Sequence, residues 1–226
     1  MKKHLILAGI LAATVTSSAH ADLITVAVNG GYSTVTMADV NDRGDKGKKS
    51  LEALGATAKY TPLSSGWFVA AEAGLGLLPF LELGPRIEYL QTNQGEMSAD
   101  FGGIKSSLLA DATLSSFMLG ANVGVDLPLT GLGFSAGAFG GYGYAVVKNS
   151  FSVGGTPAGG NLYSGGAFVG ELQAKLKYSI IPLLSAHLMA GIRMANIGQL
   201  KDGATTSTES FDFSGINAGG GISLGF

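Results

Sequence analysis

The sequence predicts an all-β fold: an eight-stranded antiparallel up-and-down transmembrane β-barrel, with short turns at one end and longer loops at the other. Three observations predict it. Segments along the whole chain alternate apolar residues with polar or small ones at period two. Apolar turn centres containing proline recur at Pro79, Pro128 and Pro182, 49 and 54 residues apart. Polar, Gly- or Ser-rich stretches lie midway between them. Each interval therefore holds two strands and one long loop, which makes the strand count even. Mean hydropathy is mildly positive without any long apolar run, a pattern that suits strands crossing a bilayer one by one rather than a helix.

Met1 to Ala21 reads as a cleavable secretory signal: Lys2 and Lys3 form the basic start, Leu5 to Val15 the apolar stretch, and Ala19-His20-Ala21 a small-x-small cleavage site. The apolar stretch is shorter than the ~20 residues a spanning helix needs. The domain boundaries expected are 1–21 for the signal and 22–226 for one barrel. Cysteine is absent, which excludes a disulfide framework and a lipid-modified cysteine. Loss of Lys2 and Lys3 takes the formal charge from -2 to -4, and nothing in that balance provides the basic stripe a nucleic-acid partner would require. Glycine, 36 of 226 residues, is about twice its usual share of ~7% and is spread through apolar segments, as sharp bending in a small barrel requires.

The strands follow in order. The first sets Ile24, Val26, Val28 and Tyr32 against Thr25, Ala27, Asn29 and Ser33. The second sets Trp67, Val69, Ala71, Ala73, Leu75 and Leu77 against Phe68, Ala70, Glu72, Gly74 and Gly76. The third alternates Leu81, Leu83, Ile87 and Tyr89 with Glu82, Arg86 and Glu88; Pro85 interrupts its apolar face and predicts a bulge or kink. The fourth runs Phe117, Leu119, Ala121, Val123 and Val125 against Met118, Gly120, Asn122 and Gly124. The fifth runs Phe134, Ala136, Ala138, Tyr142 and Tyr144 against Ser135, Gly137, Gly141 and Gly143. In the sixth, Phe168, Leu172, Leu176, Tyr178 and Ile180 oppose Glu171, Gln173, Lys175, Lys177 and Ser179. The seventh opposes Leu188, Ala190, Ile192 and Met194 to His187, Met189, Gly191 and Arg193. The last places Ile222, Leu224 and Phe226 opposite Gly221, Ser223 and Gly225.

Periodicity alone does not say which face is outside, and a soluble barrel would put the apolar face inward. The inverted arrangement is favoured by the small residues of the polar faces, which suit a narrow lumen, and by aromatics near the strand ends. Trp67, Tyr89, Tyr144 and Phe168 form one expected interfacial girdle. Tyr178, Phe134 and Phe226 form the other.

The signal, the eight alternating strands, the proline turns and the Ile222-x-Leu224-x-Phe226 ending together resemble the small OmpA-like and OmpX-like outer-membrane barrels of Gram-negative bacteria. The resemblance covers Asp22 to Phe226 and rests on pattern rather than on any one motif. It implies residence in the outer membrane, among outer-membrane lipid and lipopolysaccharide, and a terminal strand read by the barrel-assembly machinery at Ile222, Leu224 and Phe226. The peptidoglycan-binding domain of longer relatives is not expected.

An eight-stranded barrel has a lumen that side chains fill, and charges there must be paired. Glu72 and Arg86 are equidistant from Pro79, and Glu171 and Arg193 from Pro182. Ion pairs Glu72–Arg86 and Glu171–Arg193 are therefore expected, extended by Glu88, Lys175 and Lys177. The expected function is non-enzymatic: a plugged barrel serving envelope integrity or surface contact through four loops, at 39–50, 94–107, 149–164 and 199–210. A narrow solute channel is the alternative. A lipid-modifying enzyme is less well supported, because the only histidine beyond the signal, His187, lies near the turn at Pro182. No catalytic, cofactor or metal residues are expected. Asp39-x-Asn41-x-Arg43-Gly44-Asp45 partly resembles a calcium loop, but Arg43 occupies a ligand place and Ser50 stands where a bidentate Glu is needed; a solvated loop is expected, with one helical turn at 50–54.

Overall fold

The computed structural model describes residues 23–127, 130–203 and 205–226. The expected secretory signal and the expected turn centre at Pro128 lie outside the described residues. In chain order the elements are β1 (Ile24–Thr34), α1 (Ala38–Ala53), β2 (Thr57–Thr61), β3 (Ser65–Leu78), β4 (Leu81–Thr92), β5 (Gly95–Phe101) and β6 (Ile104–Asp126). After these come β7 (Leu132–Val153), β8 (Thr156–Ile181), β9 (Leu184–Met194), β10 (Asn196–Asp202), β11 (Thr205–Asp212) and β12 (Gly215–Gly225).

Eight of these strands close a ring, β1–β3–β4–β6–β7–β8–β9–β12, with every pairing antiparallel. Closure joins the two ends of the chain, from Thr25 opposite Gly225 to Ser33 opposite Asn217. A closed ring leaves no unpaired edge within the barrel wall. The other four strands decorate the loop end: β2 pairs with β5, β5 with β6, and the β10–β11 hairpin touches β8 where Lys201 meets Ser164.

Side-chain exposure settles which face is outside. The apolar face is the outer one on all eight ring strands, with Val28, Ile87, Leu119, Leu172, Leu188, Ile192 and Ile222 each more than half exposed. Polar partners in the same strands, such as Asn29, Glu88, Gln173 and Asn217, are buried in the lumen. Such an exterior is stable only against hydrocarbon. Trp67, Tyr89, Tyr144, Phe168 and Tyr178 all point outward, and the Trp67 and Tyr89 rings pack 5.6 Å apart. Among the described residues no helix is long and apolar enough to cross a membrane.

Several expectations need correction. Residues 94–107 and 149–164 are not loops, because their backbones continue the ladders of β5, β6, β7 and β8, so that β8 alone is 26 residues long. Their polar residues sit on a ribbon that extends past the membrane and needs no apolar face there. The tips are two-residue turns at Gly102-Gly103 (φ 62° and 98°) and Gly154-Gly155 (φ 59° and 80°). Two consecutive positive φ values define the type I′ turn that matches strand twist. Pro85 makes no bulge: β3 and β4 keep the same register on either side of it, and only the pairs at Ala73 and Gly74 lapse, on the side where proline has no N–H. The irregularity in this hairpin lies instead at Gly76 and Leu78, beside the turn.

The largest correction is α1. The calcium-like stretch and the expected loop at 39–50 form a helix of 16 residues rather than a single turn at 50–54. Its sequence is a poor helix former, with Gly44 and Gly47 inside it and no side-chain cap at Met37, which adopts a left-handed φ of 43°. Tertiary contacts hold it. Gly44 lies flat against the Tyr60 ring, which any Cβ there would overlap. The Asn41 amide donates to the Leu63 carbonyl (2.9 Å) while its oxygen accepts from the Leu63 N–H (3.0 Å) and the Tyr60 hydroxyl (2.8 Å). Arg43 pairs with Glu209 on β11. Among the described residues no cluster of His, Cys, Asp or Glu is placed to hold a metal ion.

Candidate functional site

The lumen is layered. At the end with the short turns, a vestibule of about 120 Å³ is lined by Thr25, Glu82, Asn122, Asp126, Lys177 and His187. Its inner wall is the Glu72–Lys175 ion pair. Beyond that wall lies a layer of six buried charged residues contributed by four strands: Glu72 from β3, Arg86 and Glu88 from β4, Glu171 and Lys175 from β8, and Arg193 from β9. Three carboxylates face three cations, so the layer is formally neutral.

Arg86 is its hub. It has no exposed surface, and its guanidinium reaches Glu72, Glu88 (2.5 Å), Glu171 (3.2 Å) and the Gln173 side-chain oxygen (3.2 Å) above the Phe139 ring. Glu72 and Arg86 stand directly opposite in the β3–β4 register and are ion-paired. Glu171 and Arg193 also stand opposite each other, in the β8–β9 register, but their charged groups turn to other partners. Arg193 reaches across the lumen to Glu88 (2.7 Å) and also donates to Ser33 Oγ (2.6 Å) and the Phe213 carbonyl (3.1 Å). Glu171 is left to Arg86 and to the Asn217 amide (3.4 Å). The expected Glu171–Arg193 pair is thus replaced by two transverse pairs, Arg193 finding the Phe213 carbonyl and Ser33 Oγ as further acceptors when it turns toward Glu88. Lys177 stays outside the network, in the vestibule.

Sequence reasoning missed the neutral members. Asn29 donates to Glu72 (3.0 Å) and bonds His187, while Ser33 donates to Asn217 Oδ1 (2.7 Å). Their inward phase was the available signal, for each alternates with apolar neighbours. The interior glycines make room for them: a Cβ on Gly221 would come within 2.9 Å of both Asn29 Oδ1 and His187 Nε2. His187 itself has Asn29 as its hydrogen-bond partner.

Toward the loop end the lumen turns apolar, again unexpectedly. Phe68, Leu90, Leu114, Val169 and Phe213 fill it with at most 1% exposure each, and Met37, Leu63, Leu200 and Phe211 from the loop elements continue the same cluster. Phe68 and Met118 lie on strand faces read as polar, yet they belong to this packed layer. The lumen is therefore closed twice, by a neutral charge network and by a hydrocarbon core.

An antiparallel ring with an apolar, aromatic-edged exterior and a polar lumen defines the class: this is a transmembrane β-barrel of eight strands. No protein-family model matches the sequence, and no curated protein matches it. Among solved structures the chain is similar to Neisserial surface protein A (NspA), with 12% identity, 90% of this chain and 97% of that one covered, and a TM-score of 0.43. It is also similar to the outer membrane protein OprG from Pseudomonas aeruginosa, with 10% identity, 92% and 98% covered, and a TM-score of 0.48. The N-terminal β-barrel domain of OprF from the same organism gives 13% identity, 91% and 98% covered, and a TM-score of 0.44. The assignment of fold rests on the strand ring of the chain itself.

Proposed function

We propose that the protein is a non-enzymatic barrel of the bacterial outer membrane, exported with cleavage after Ala21, whose lumen is plugged and whose work is envelope integrity or contact at the cell surface. The observation that carries this reading is the double closure of the lumen: Arg86 and Arg193 expose nothing to solvent, and the apolar layer above them is equally sealed. The loop end supports surface contact, since α1 and four additional strands give it a defined shape. Its surroundings are outer-membrane lipid and lipopolysaccharide, and Ile222, Leu224 and Phe226 serve as the strand signal for the assembly machinery. Purified protein in planar bilayers is expected to give no unitary current; a stable conductance would establish the channel reading instead. Lipid analysis of a deletion strain is expected to show unchanged acyl patterns, and an altered pattern would restore the enzyme reading.

A further inference from the structure

A second cavity, of about 430 Å³, lies at the loop end between α1, β2, β5–β7 and the β10–β11 hairpin. Its walls are apolar, formed by Val40, Leu63, Met97, Leu108, Val147 and Phe211. Its rim is polar, with Tyr60, Asn149, Thr206 and Thr208 among the residues there. Apolar walls with a few placed polar groups, in a volume of roughly 300–1,000 Å³, are the ordinary make-up of a small-molecule site. An apolar cavity of only about 150 Å³ already binds benzene.

The rim charges decide the ligand class. Arg43 is committed to Glu209 and Thr208, and the remaining charged lining residue is Glu96. An anionic head group would meet the surplus carboxylate of Glu96. The Tyr60 hydroxyl, pushed above the ordinary tyrosine range by burial and by the Asp45 charge, stays a neutral O–H. The cavity stands above the outward aromatics: along β7 its lining runs from Val147 to Asn149, three to five residues beyond Tyr144, which at ~3.3 Å per residue is roughly 10–16 Å of tilted strand. Below the cavity the lumen is closed by Leu90 and Phe213.

We infer that this cavity is a capture site for a mainly apolar, non-anionic small molecule of one or two rings, taken from the outside and not passed inward. The test is methyl NMR of the full barrel in lipid nanodiscs, titrated with 1-naphthol and, separately, with 1-naphthalenesulfonate. Naphthol is expected to shift the Leu63, Met97, Leu108 and Val147 methyls saturably, while lipid-facing Leu119 and Leu172 report only non-saturating partition into the bilayer. The sulfonate is expected to bind at least tenfold more weakly. Ala110→Phe, which fills the cavity from its wall, and Thr206→Phe, which fills it from the rim, are each expected to weaken naphthol binding at least tenfold while the barrel keeps its heat-modifiable migration. The inference is overturned if the cavity methyls of the native protein show no saturable shift, if the sulfonate binds as tightly as naphthol, or if binding survives in whichever filled variants fold.

Discussion

Replacing Arg86 with Met tests the charge layer at its hub. The layer holds three carboxylates and three cations, and the substitution leaves it with a net charge of -1. Glu72 retains Lys175 and Glu88 retains Arg193, whereas Arg86 is the ion-pair partner of Glu171 among the described residues. Glu171 is therefore the group left stranded. Removing one partner of a buried pair costs about 3–5 kcal/mol, because the other charge stays desolvated without compensation. Adding Glu171→Gln should recover most of that loss, leaving about 1–2 kcal/mol for the missing hydrogen bonds. Adding Glu72→Gln should recover little, since Glu171 still lacks its ion-pair partner. Urea unfolding in lipid vesicles reads these differences through the single tryptophan, Trp67, which leaves the bilayer when the barrel opens. A cost below about 1 kcal/mol for Arg86→Met would refute the reasoning, as would equal recovery by the two glutamine variants.

Arg193→Glu should lower the thermal midpoint of the barrel; the charge-exchanged pair with Glu88→Arg should regain part of it, and the corresponding exchange with Glu171→Arg should regain less, as scanning by heat-modifiable gel migration would show. Leu172→Arg, near mid-span on the lipid face of β8, should cost about 2–4 kcal/mol in vesicle unfolding. The same change at exposed Leu162, on the part of β8 that continues past the girdle, should cost close to nothing, and similar costs at both sites would contradict the extramembrane placement. Gly221→Ala should destabilise by about 1–3 kcal/mol through overpacking, because its Cβ would press on the Val28 carbonyl as well as on the Asn29–His187 pair; an unchanged unfolding midpoint would show that the wall yields there.

The strand faces were legible because period two is a local property, visible wherever Leu172 is followed by Gln173 and then Ala174. The Glu72–Arg86 pairing was legible for a related reason, since residues symmetric about a tight turn such as Pro79 are opposed in register. The Glu88–Arg193 and Arg86–Glu171 pairs were not, because they join β4 to strands on the far side of the ring and depend on the diameter and shear of the closed barrel. The apolar layer was hidden for lack of contrast: Phe68 and Met118 share a face with Glu72 and Asn122, and nothing local says that the lumen changes character along its length. Helix α1 was hidden because its stability comes from Tyr60, Leu63 and Glu209, all outside it, and not from its own propensity. The upper parts of β6, β7 and β8 lacked a signal for another reason: there neither face meets lipid, and residues such as Leu108 and Val147 turn toward the loop-end elements instead, so the contrast between lipid and lumen that drives alternation is gone.

The continuous β7–β8 ladder has a mechanical consequence. From Tyr144 at the girdle to Val153 beside the tip, nine residues of hydrogen-bonded strand rise from the bilayer, about 30 Å of ribbon at ~3.3 Å per residue. A ribbon of this kind stands as a mast rather than trailing as a tether. Gly154-Gly155 at its top is the natural place to splice an epitope or an affinity tag, where an inserted peptide would be displayed away from the bilayer while the barrel beneath folds as before.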